Sequence, residues 1–244
     1  MALLEIRGVV KTFGQLTALG GVDVSVERGE FHGLIGPNGS GKSTLMKCIA
    51  GAERPTSGTI RFDGRDITSL PAAERARAGL SIKFQITSVL PSLTVYDNIL
   101  LSLQAHGSLA TLVFSRTRRE LHDHVMAALG QFRLADRAGE PAAILSHGEQ
   151  QWLEIAMALA PKPRVLLLDE PTAGMSLEER RVTGELLLPI RQHCSLVIVE
   201  HDLDFIRDVC DVLTVLDQGK VLDSGTVEQI QNNRKVQEVY LTRV

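Results

Sequence analysis

One eight-residue segment constrains the fold of this 244-residue chain more than any other. It begins at Gly36, ends at Ser43 and matches the pattern G-x-x-x-x-G-K-[ST]. An apolar run that ends at Ile35 precedes it, and a helical pattern from Lys42 to Ala50 follows it. Because a strand, a glycine loop and a helix in that order are the context that the pattern requires, we predict a phosphate-binding loop. A plain glycine turn with a capping serine is the alternative.

The residue types in this loop each have a chemical task. Glycines allow successive backbone N–H groups to converge on an anion, and the N-terminus of the following helix adds partial positive charge. Lys42 can reach the β- and γ-phosphates of a nucleotide, and Ser43 can offer its hydroxyl to Mg²⁺. The predicted nucleotide-binding residues of this segment are Gly36, Pro37, Asn38, Gly39, Ser40, Gly41, Lys42, Ser43 and Thr44.

The other apolar runs predict an α/β fold. Runs that are apolar almost throughout, as buried parallel strands are, occupy residues 31–35, 80–84, 165–168 and 196–199. Helical patterns lie between these runs, so we expect a parallel sheet with helices on both faces. The alternating valines of residues 22–26 predict an additional, half-buried antiparallel strand near the start of the chain.

Between residues 94 and 160 the strand patterns vanish and helical patterns replace them. Thr94 is a predicted helix N-cap, Pro161 and Pro163 end the helical stretch, and Thr226 is predicted to start a C-terminal helix. We therefore predict one domain over residues 1–244. Its β and core portions comprise 1–93 and 161–244, and its helical subdomain comprises 94–160.

Polar residues follow the apolar runs at one edge of the predicted sheet. In open α/β sheets, ligands bind outside the carboxyl ends of the strands. The phosphate loop, Gln85, Asp169, Glu170 and His201 all follow such runs, so one crevice would collect them. We interpret Gln85 and His201 as contacts to the γ-phosphate and the attacking water. Alternatively, these two side chains only satisfy backbone groups at strand ends.

Asp169 and Glu170 are adjacent but have different predicted roles. A carboxylate that closes a buried strand is costly unless it is paired or bound to metal, so we assign Asp169 to Mg²⁺ together with Ser43 and Gln85. Pro171 biases Glu170 toward extended geometry, in which successive side chains point apart. Glu170 is then the predicted base that orients or deprotonates water. The alternative is that both acids merely cap a loop.

Composition argues against several other classes of protein. With 26 basic and 29 acidic residues the net charge is −3, and the short basic run 116–119 fits a solvated helix face, so no nucleic-acid partner is expected. No apolar stretch approaches the ~18 residues of a membrane span, and charge appears too early for a signal peptide, which predicts a cytosolic chain. Cys48, Cys194 and Cys210 lack metal or disulfide spacing and are interpreted as small buried hydrophobes.

Residues 145–151, which read Leu-Ser-His-Gly-Glu-Gln-Gln, resemble the signature sequence of ATP-binding cassette (ABC) proteins. The resemblance covers nearly the whole chain and implies a RecA-like P-loop NTPase core with an antiparallel β subdomain and an inserted helical subdomain. It further implies that Phe13 stacks on adenine. Ser146, Gly148 and Glu149 would close over ATP held by a second cassette, identical or paralogous.

Within that family the chain resembles ATPase subunits of bacterial importers for branched-chain amino acids, and for amides and urea. The supporting segments are 145–154, 172–176, the stretch around 106–124 and the ending 238–241. This resemblance implies ATP hydrolysis at the cytoplasmic face of the inner membrane, where the chain would drive permease subunits and serve an external solute-binding protein indirectly.

Two departures from the common cassette pattern stand out. His147 and Glu149 replace a glycine and a glutamine of the signature, and Ser176 stands where many members carry the aspartate of the D-loop, residues 173–176. Because Ser146 and Gly148 are kept, we expect ATPase activity to survive. A soluble cassette ATPase acting on DNA or ribosomes is the alternative in another class, but the chain lacks a long coiled-coil insertion and a tandem cassette. A small-molecule kinase or GTPase is a further alternative, but neither class accounts for the segment 145–151.

Overall fold

The computed structural model describes residues 2–83, 88–105 and 117–242, so Gln85 lies outside the described residues. The strands in these ranges are β1 (Leu4–Phe13), β2 (Leu16–Val26), β3 (Phe31–Ile35), β4 (Ser57–Phe62), β5 (Arg65–Asp66), β6 (Leu80–Lys83), β7 (Val165–Asp169), β8 (Ser195–Val199), β9 (Val212–Asp217) and β10 (Lys220–Thr226). The α-helices are α1 (Lys42–Ala50), α2 (Ala72–Arg77), α3 (Val95–Gln104), α4 (Thr117–Glu120), α5 (His122–Gln131), α6 (His147–Leu159), α7 (Leu177–Leu187), α8 (Leu203–Val209), α9 (Val227–Gln231) and α10 (Arg234–Thr242).

The strands form two sheets, which confirms the predicted α/β class. Five parallel strands in the order β9-β3-β8-β7-β6, with β10 antiparallel at one edge, make the larger sheet. The smaller sheet, β2-β1-β4-β5, is antiparallel and contains the alternating valines of β2. In the parallel sheet β3 lies between β9 and β8, and β7 lies beside β8, so the loops after β3, β7 and β8 meet at one edge.

The larger sheet separates two hydrophobic cores, because alternate residues of each strand face opposite sides. On β7, Leu166 and Leu168 pack with the helices of the 94–160 stretch and with α7 and α8. Val165 and Leu167 of the same strand pack with α1 and the smaller sheet. Helices thus lie on both faces, as predicted, and on the second face the predicted antiparallel subdomain packs beside α1.

Helix α1, which carries the phosphate loop at its start, ends on a buried arginine. Arg75 is 1% exposed, and its guanidinium donates to the carbonyls of Cys48 and Ile49 at 2.7 and 2.8 Å. It also donates to the carbonyls of Leu70 and Thr68, both at 2.9 Å. The last carbonyls of a helix have no intrahelical partner, and Arg75 supplies two of them with hydrogen bonds.

Other local predictions are confirmed. Thr94 caps α3 and Thr226 caps α9, because their hydroxyls accept hydrogen bonds from the backbone N–H of Asp97 and of Gln229, respectively. All three cysteines are free thiols and buried. Within the three described ranges, every helix is too short or too polar to cross a lipid bilayer.

Candidate nucleotide-binding site

The phosphate loop lies between β3 and α1, as its sequence predicts, and two of its glycines are required by geometry. Gly36 has φ 146°, and a Cβ built there would lie 2.1 Å from the carbonyl oxygen of Leu216. Gly41 has φ 106°, and its Cβ would lie 2.8 Å from the carbonyl oxygen of Ala18. Since both φ values disfavour other residues and both contacts involve backbone atoms, the loop needs glycine at these positions.

Lys42 folds back over the loop that precedes it. Its Nζ donates to the carbonyls of Gly36 and Pro37 at 2.8 and 3.1 Å, and its side chain is buried. Burial lowers the pKa of Lys42, whereas the nearby carboxylates of Glu170 and Asp169 oppose that shift. The lysine therefore places a poorly solvated positive charge within the glycine loop, where an anion would compensate it.

Asp169 ends β7 beside the phosphate loop. Burial raises the pKa of Asp169, and the neighbouring charge of Glu170 raises it further, whereas the nearby Ser43 hydroxyl favours the charged carboxylate and acts to lower it. Its Oδ1 is buried and has no hydrogen-bond partner among the described residues. An unpaired carboxylate oxygen next to a hydroxyl is the hard oxygen donor set that Mg²⁺ prefers, so these two residues fit the predicted cation.

Glu170 and His201 lie together after β7 and β8. The Nε2 atom of His201 is 3.3 Å from Oε1 of Glu170, and both side chains are partly exposed. Buried Glu200 holds the two loops by accepting hydrogen bonds from the backbone N–H of Thr172 at 2.9 Å and of His201 at 3.0 Å. The structure thus brings the predicted base, Glu170, together with His201, which is a predicted contact to the γ-phosphate and the attacking water.

The backbone of Glu170 differs from the sequence-based expectation. Pro171 favours extended geometry at Glu170, but the observed φ is 49°, in the left-handed region. The N–H of Glu170 donates to the carbonyl of Val199 at 2.9 Å, and its carbonyl accepts from Ala173 at 3.3 Å. These tertiary and turn hydrogen bonds determine the conformation in place of the local preference.

The phosphate loop, Glu170 and His201 line a cavity of about 530 Å³, within the range of small-molecule sites, and Asp169 is not part of its lining. Its lining contains the predicted Phe13, Asn38, Gly39, Ser40, Gly41, Lys42, Ser43, Thr44, Glu170 and His201. Sequence reasoning missed the other lining residues, Leu16, Thr17, Ala18, Gln218 and Gly219. The hairpin turn at Gln218 and Gly219 touches the phosphate loop, because Gly219 donates to the carbonyl of Ser40 at 2.9 Å. A Gln-Gly turn signal was visible in the sequence, but its position in space was not.

The signature residues Ser146, Gly148 and Glu149 lie at the start of α6, outside this cavity. Ser146 caps α6: its hydroxyl accepts from the N–H of Glu149 at 3.3 Å, and its own N–H donates to the Glu149 carboxylate at 2.8 Å. Arg137 pairs with the same carboxylate at 2.7 Å. Burial alone would raise the pKa of Glu149, but hydrogen bonds from Ser146 and Arg137 outweigh it and lower the pKa. Neither Ser146, Gly148 nor Glu149 lines the phosphate-loop cavity, so the chain presents two separate sets of predicted ATP contacts.

Comparison with known proteins decides the family. The sequence pattern of the family described as "ABC transporter" matches residues 19–173. The chain belongs to the ABC transporter family. This cassette ATPase is 35% identical to the high-affinity branched-chain amino acid transport ATP-binding protein BraF of Pseudomonas aeruginosa, over 98% of the chain and 97% of BraF.

Solved structures also place the chain among ATP-binding cassettes. It resembles the ADP conformation of an ATP-binding cassette of an ABC transporter, with 30% identity, a TM-score of 0.90 and 99% coverage of both chains. It also resembles the dimeric post-hydrolysis state of a cassette bound to ADP and Pi, with 27% identity, a TM-score of 0.79, and coverage of 92% of this chain and 98% of that one. The P-loop NTPase fold is therefore confirmed, and the family binds nucleotide.

Lys42→Ala should weaken nucleotide binding by this cassette ATPase. A hydrogen bond to a charged group contributes ~1.5 to 3 kcal/mol, which corresponds to a loss of affinity of roughly 10- to 150-fold. Titration with a fluorescent ATP analogue measures the change. Lys47→Ala is the matched control, because Lys47 is an exposed lysine of the same helix. Wild-type affinity in Lys42→Ala would contradict the assigned role.

Phe13→Ala should weaken ATP binding without altering the rate at saturating ATP. The ring is 45% exposed, lines the cavity and has the Lys11 Nζ 4.6 Å from its centroid. Stacking contributes ~1 to 3 kcal/mol per base, so we expect a loss of roughly 5- to 150-fold. Because stacking tolerates any base, GTP should bind the wild type within about tenfold of ATP. Competition titrations test both statements, and a strong ATP preference that persists in Phe13→Ala would show that another group reads the purine.

Proposed function

We propose that the chain is the ATP-hydrolysing subunit of a bacterial importer for branched-chain or other hydrophobic amino acids. The observation that carries the proposal is the separation of the two sets of predicted ATP contacts. The phosphate loop and the Glu170–His201 pair face one cavity, whereas Ser146 of the same chain lies outside it. One chain thus supplies an incomplete site, which a second cassette, identical or paralogous, would complete.

Within this composite site different residues bind the phosphates, hold Mg²⁺ and activate water. The backbone N–H groups of the glycine loop and Lys42 bind the phosphates of ATP, and Phe13 supports the adenine. Asp169, Ser43 and, by the family resemblance, Gln85 would hold Mg²⁺, which neutralises charge on the β- and γ-phosphates. Glu170 accepts a proton from, or orients, the attacking water, and His201 lies 3.3 Å away to contact the γ-phosphate.

Coupling to transport requires partners in the membrane. The similarity to a transport ATP-binding protein supports a location at the cytoplasmic face of the inner membrane, bound to permease subunits. An external solute-binding protein would deliver the amino acid to those subunits. The similarity to BraF over nearly the whole length of both chains supports amino acids as the transported class.

Purification of the intact assembly tests this function. The tagged chain, co-expressed with its untagged genomic neighbours, should copurify from detergent with permease subunits that mass spectrometry identifies. Proteoliposomes of that assembly with its solute-binding protein should transport labelled leucine only with MgATP on the cassette side, and Lys42→Ala should abolish transport. If no membrane subunit copurifies, the transporter role is wrong; if urea or amides are transported in place of leucine, the assigned substrate is wrong.

A further inference from the structure

The side chain of His147 joins two motifs of the same chain. His147 is the first residue of α6, directly after Ser146, and its Nε2 lies 2.9 Å from the carbonyl oxygen of Ala173. A carbonyl only accepts hydrogen bonds, so Nε2 carries the proton and donates. Ala173 belongs to the D-loop, residues 173–176, which follows Glu170. A glycine, which many cassettes carry at position 147, has no side chain to make this contact.

The exposed His147 lies close to the D-loop, and the next residue, Gly148, lies close to α7. A Cβ at Gly174, which has φ 76°, would lie 2.9 Å from Nε2 of His147, so the imidazole lies directly against the backbone of the D-loop. A Cβ at Gly148 would lie 2.3 Å from Oε1 of Glu179. Glu179 in turn forms a capping box with Ser176 at the start of α7. The signature turn therefore lies against the D-loop at Ala173 and against the first turn of α7 at Glu179.

The D-loop is also tied to the predicted catalytic residues. The N–H of Ala173 donates to the carbonyl of Glu170 at 3.3 Å, so the residue that His147 holds is one hydrogen bond from the predicted base. On the other side, the Nε atom of Arg180 donates to the carbonyl of Met175 at 3.1 Å, and the same guanidinium pairs with Asp202, next to His201. His147 thus stands at the signature end of a continuous series of contacts that reaches Glu170.

We propose that His147 is a positioning residue that fixes the loop carrying Glu170 through its hydrogen bond to Ala173, and so connects the signature of a chain to hydrolysis at that chain's own phosphate loop. The inference rests on the proposed function, an ATPase whose site is completed by a second cassette. It assigns to His147 an action within its own chain, distinct from any contact with nucleotide held by the second cassette.

A pair of substitutions separates this role from a general effect on folding. His147→Ala removes the donor and should lower kcat about two- to tenfold, the effect of one lost hydrogen bond, with ATP affinity unchanged. His147→Gln keeps an N–H donor and should restore most of the rate. His124→Ala, a change at an exposed histidine of α5, is the matched control and should behave as wild type. Equal rates in His147→Ala and wild type would overturn the proposal.

Mixed dimers then locate the effect. Two differently tagged copies are combined so that one carries Glu170→Gln and only the other hydrolyses ATP. His147→Ala placed on the hydrolysing copy should lower the rate, whereas the same change on the Glu170→Gln copy should leave it unaltered. A loss confined to the second arrangement, an equal loss in both, or no loss in either would overturn the proposal. If the wild type neither dimerises with ATP nor hydrolyses it, alone or with a second cassette, the proposed function itself has failed.

Discussion

Glu170→Gln should stop ATP turnover while leaving ATP binding intact. The amide keeps the shape of the side chain but lacks a basic oxygen, whereas Lys42, Ser43 and Asp169 retain their positions around the phosphates. Loss of a general base costs about 10²- to 10⁴-fold in rate. Steady-state phosphate release measures this loss, and equilibrium binding of ATP should match that of the wild type.

A second consequence of Glu170→Gln is a trapped dimer. If ATP joins two cassettes and hydrolysis separates them, a variant that cannot hydrolyse ATP should elute as a dimer in MgATP and as a monomer without nucleotide. Glu228→Gln, the same change at an exposed glutamate of α9, is the control and should retain full activity. Unchanged hydrolysis in Glu170→Gln would exclude Glu170 as the base. If a different cassette is the partner, the dimer should appear only in the mixture.

Ser146→Arg should abolish ATP-dependent dimerisation and steady-state hydrolysis but spare ATP binding to the single chain. Ser146 is exposed and does not line the phosphate-loop cavity of its own chain, so an arginine there has no direct contact with that nucleotide. In the composite site, the bulky side chain would occupy the position of a phosphate contact. Size-exclusion chromatography in the Glu170→Gln background and ATP titration of the monomer measure the two effects.

The control for Ser146→Arg must account for the helix cap. Ser146 closes a capping box with Glu149, and loss of an N-cap costs ~0.5 to 2 kcal/mol of stability. Thr226 closes an equivalent capping box with Gln229 at the start of α9. Thr226→Arg therefore removes a cap at another place and should still dimerise. A collapse of monomer affinity in Ser146→Arg would mean that the residue supports its own nucleotide site, against the composite model.

Features that depend on contiguous residues could be predicted from the sequence. The phosphate loop is one uninterrupted segment and the buried strands are short apolar runs. Because parallel strands end at the same edge of a sheet, the meeting of the residues that follow them could be predicted, whereas the order of the strands was not. For the same reason Asp169, Glu170 and His201 could be assigned to one crevice. Their catalytic roles, and the role of Gln85, stay predictions.

Features that depend on distant contacts could not be predicted. Gly219 reaches the nucleotide cavity because it bonds to Ser40 and to Gly20, and no local pattern specifies either pairing. At Glu170, a local preference imposed by proline was weaker than hydrogen bonds to Val199 and Ala173. The contact between His147 and Ala173 likewise joins residues 26 positions apart, so the unusual histidine had no visible partner in the sequence.

The guanidinium of Arg75 makes transport sensitive to loss of folding stability as well as to loss of catalytic residues. It has no carboxylate partner among the hydrogen bonds described above, and four backbone carbonyls from two stretches of chain, 48–49 and 68–70, surround it. Lysine, which has one nitrogen, cannot donate in all of these directions. A substitution at Arg75 would leave these carbonyls without a donor and so lower the stability of the fold. A screen that scores only loss of growth on imported solute would then recover substitutions at Arg75 together with those in the phosphate loop. Soluble yield and melting temperature would tell the two groups of alleles apart.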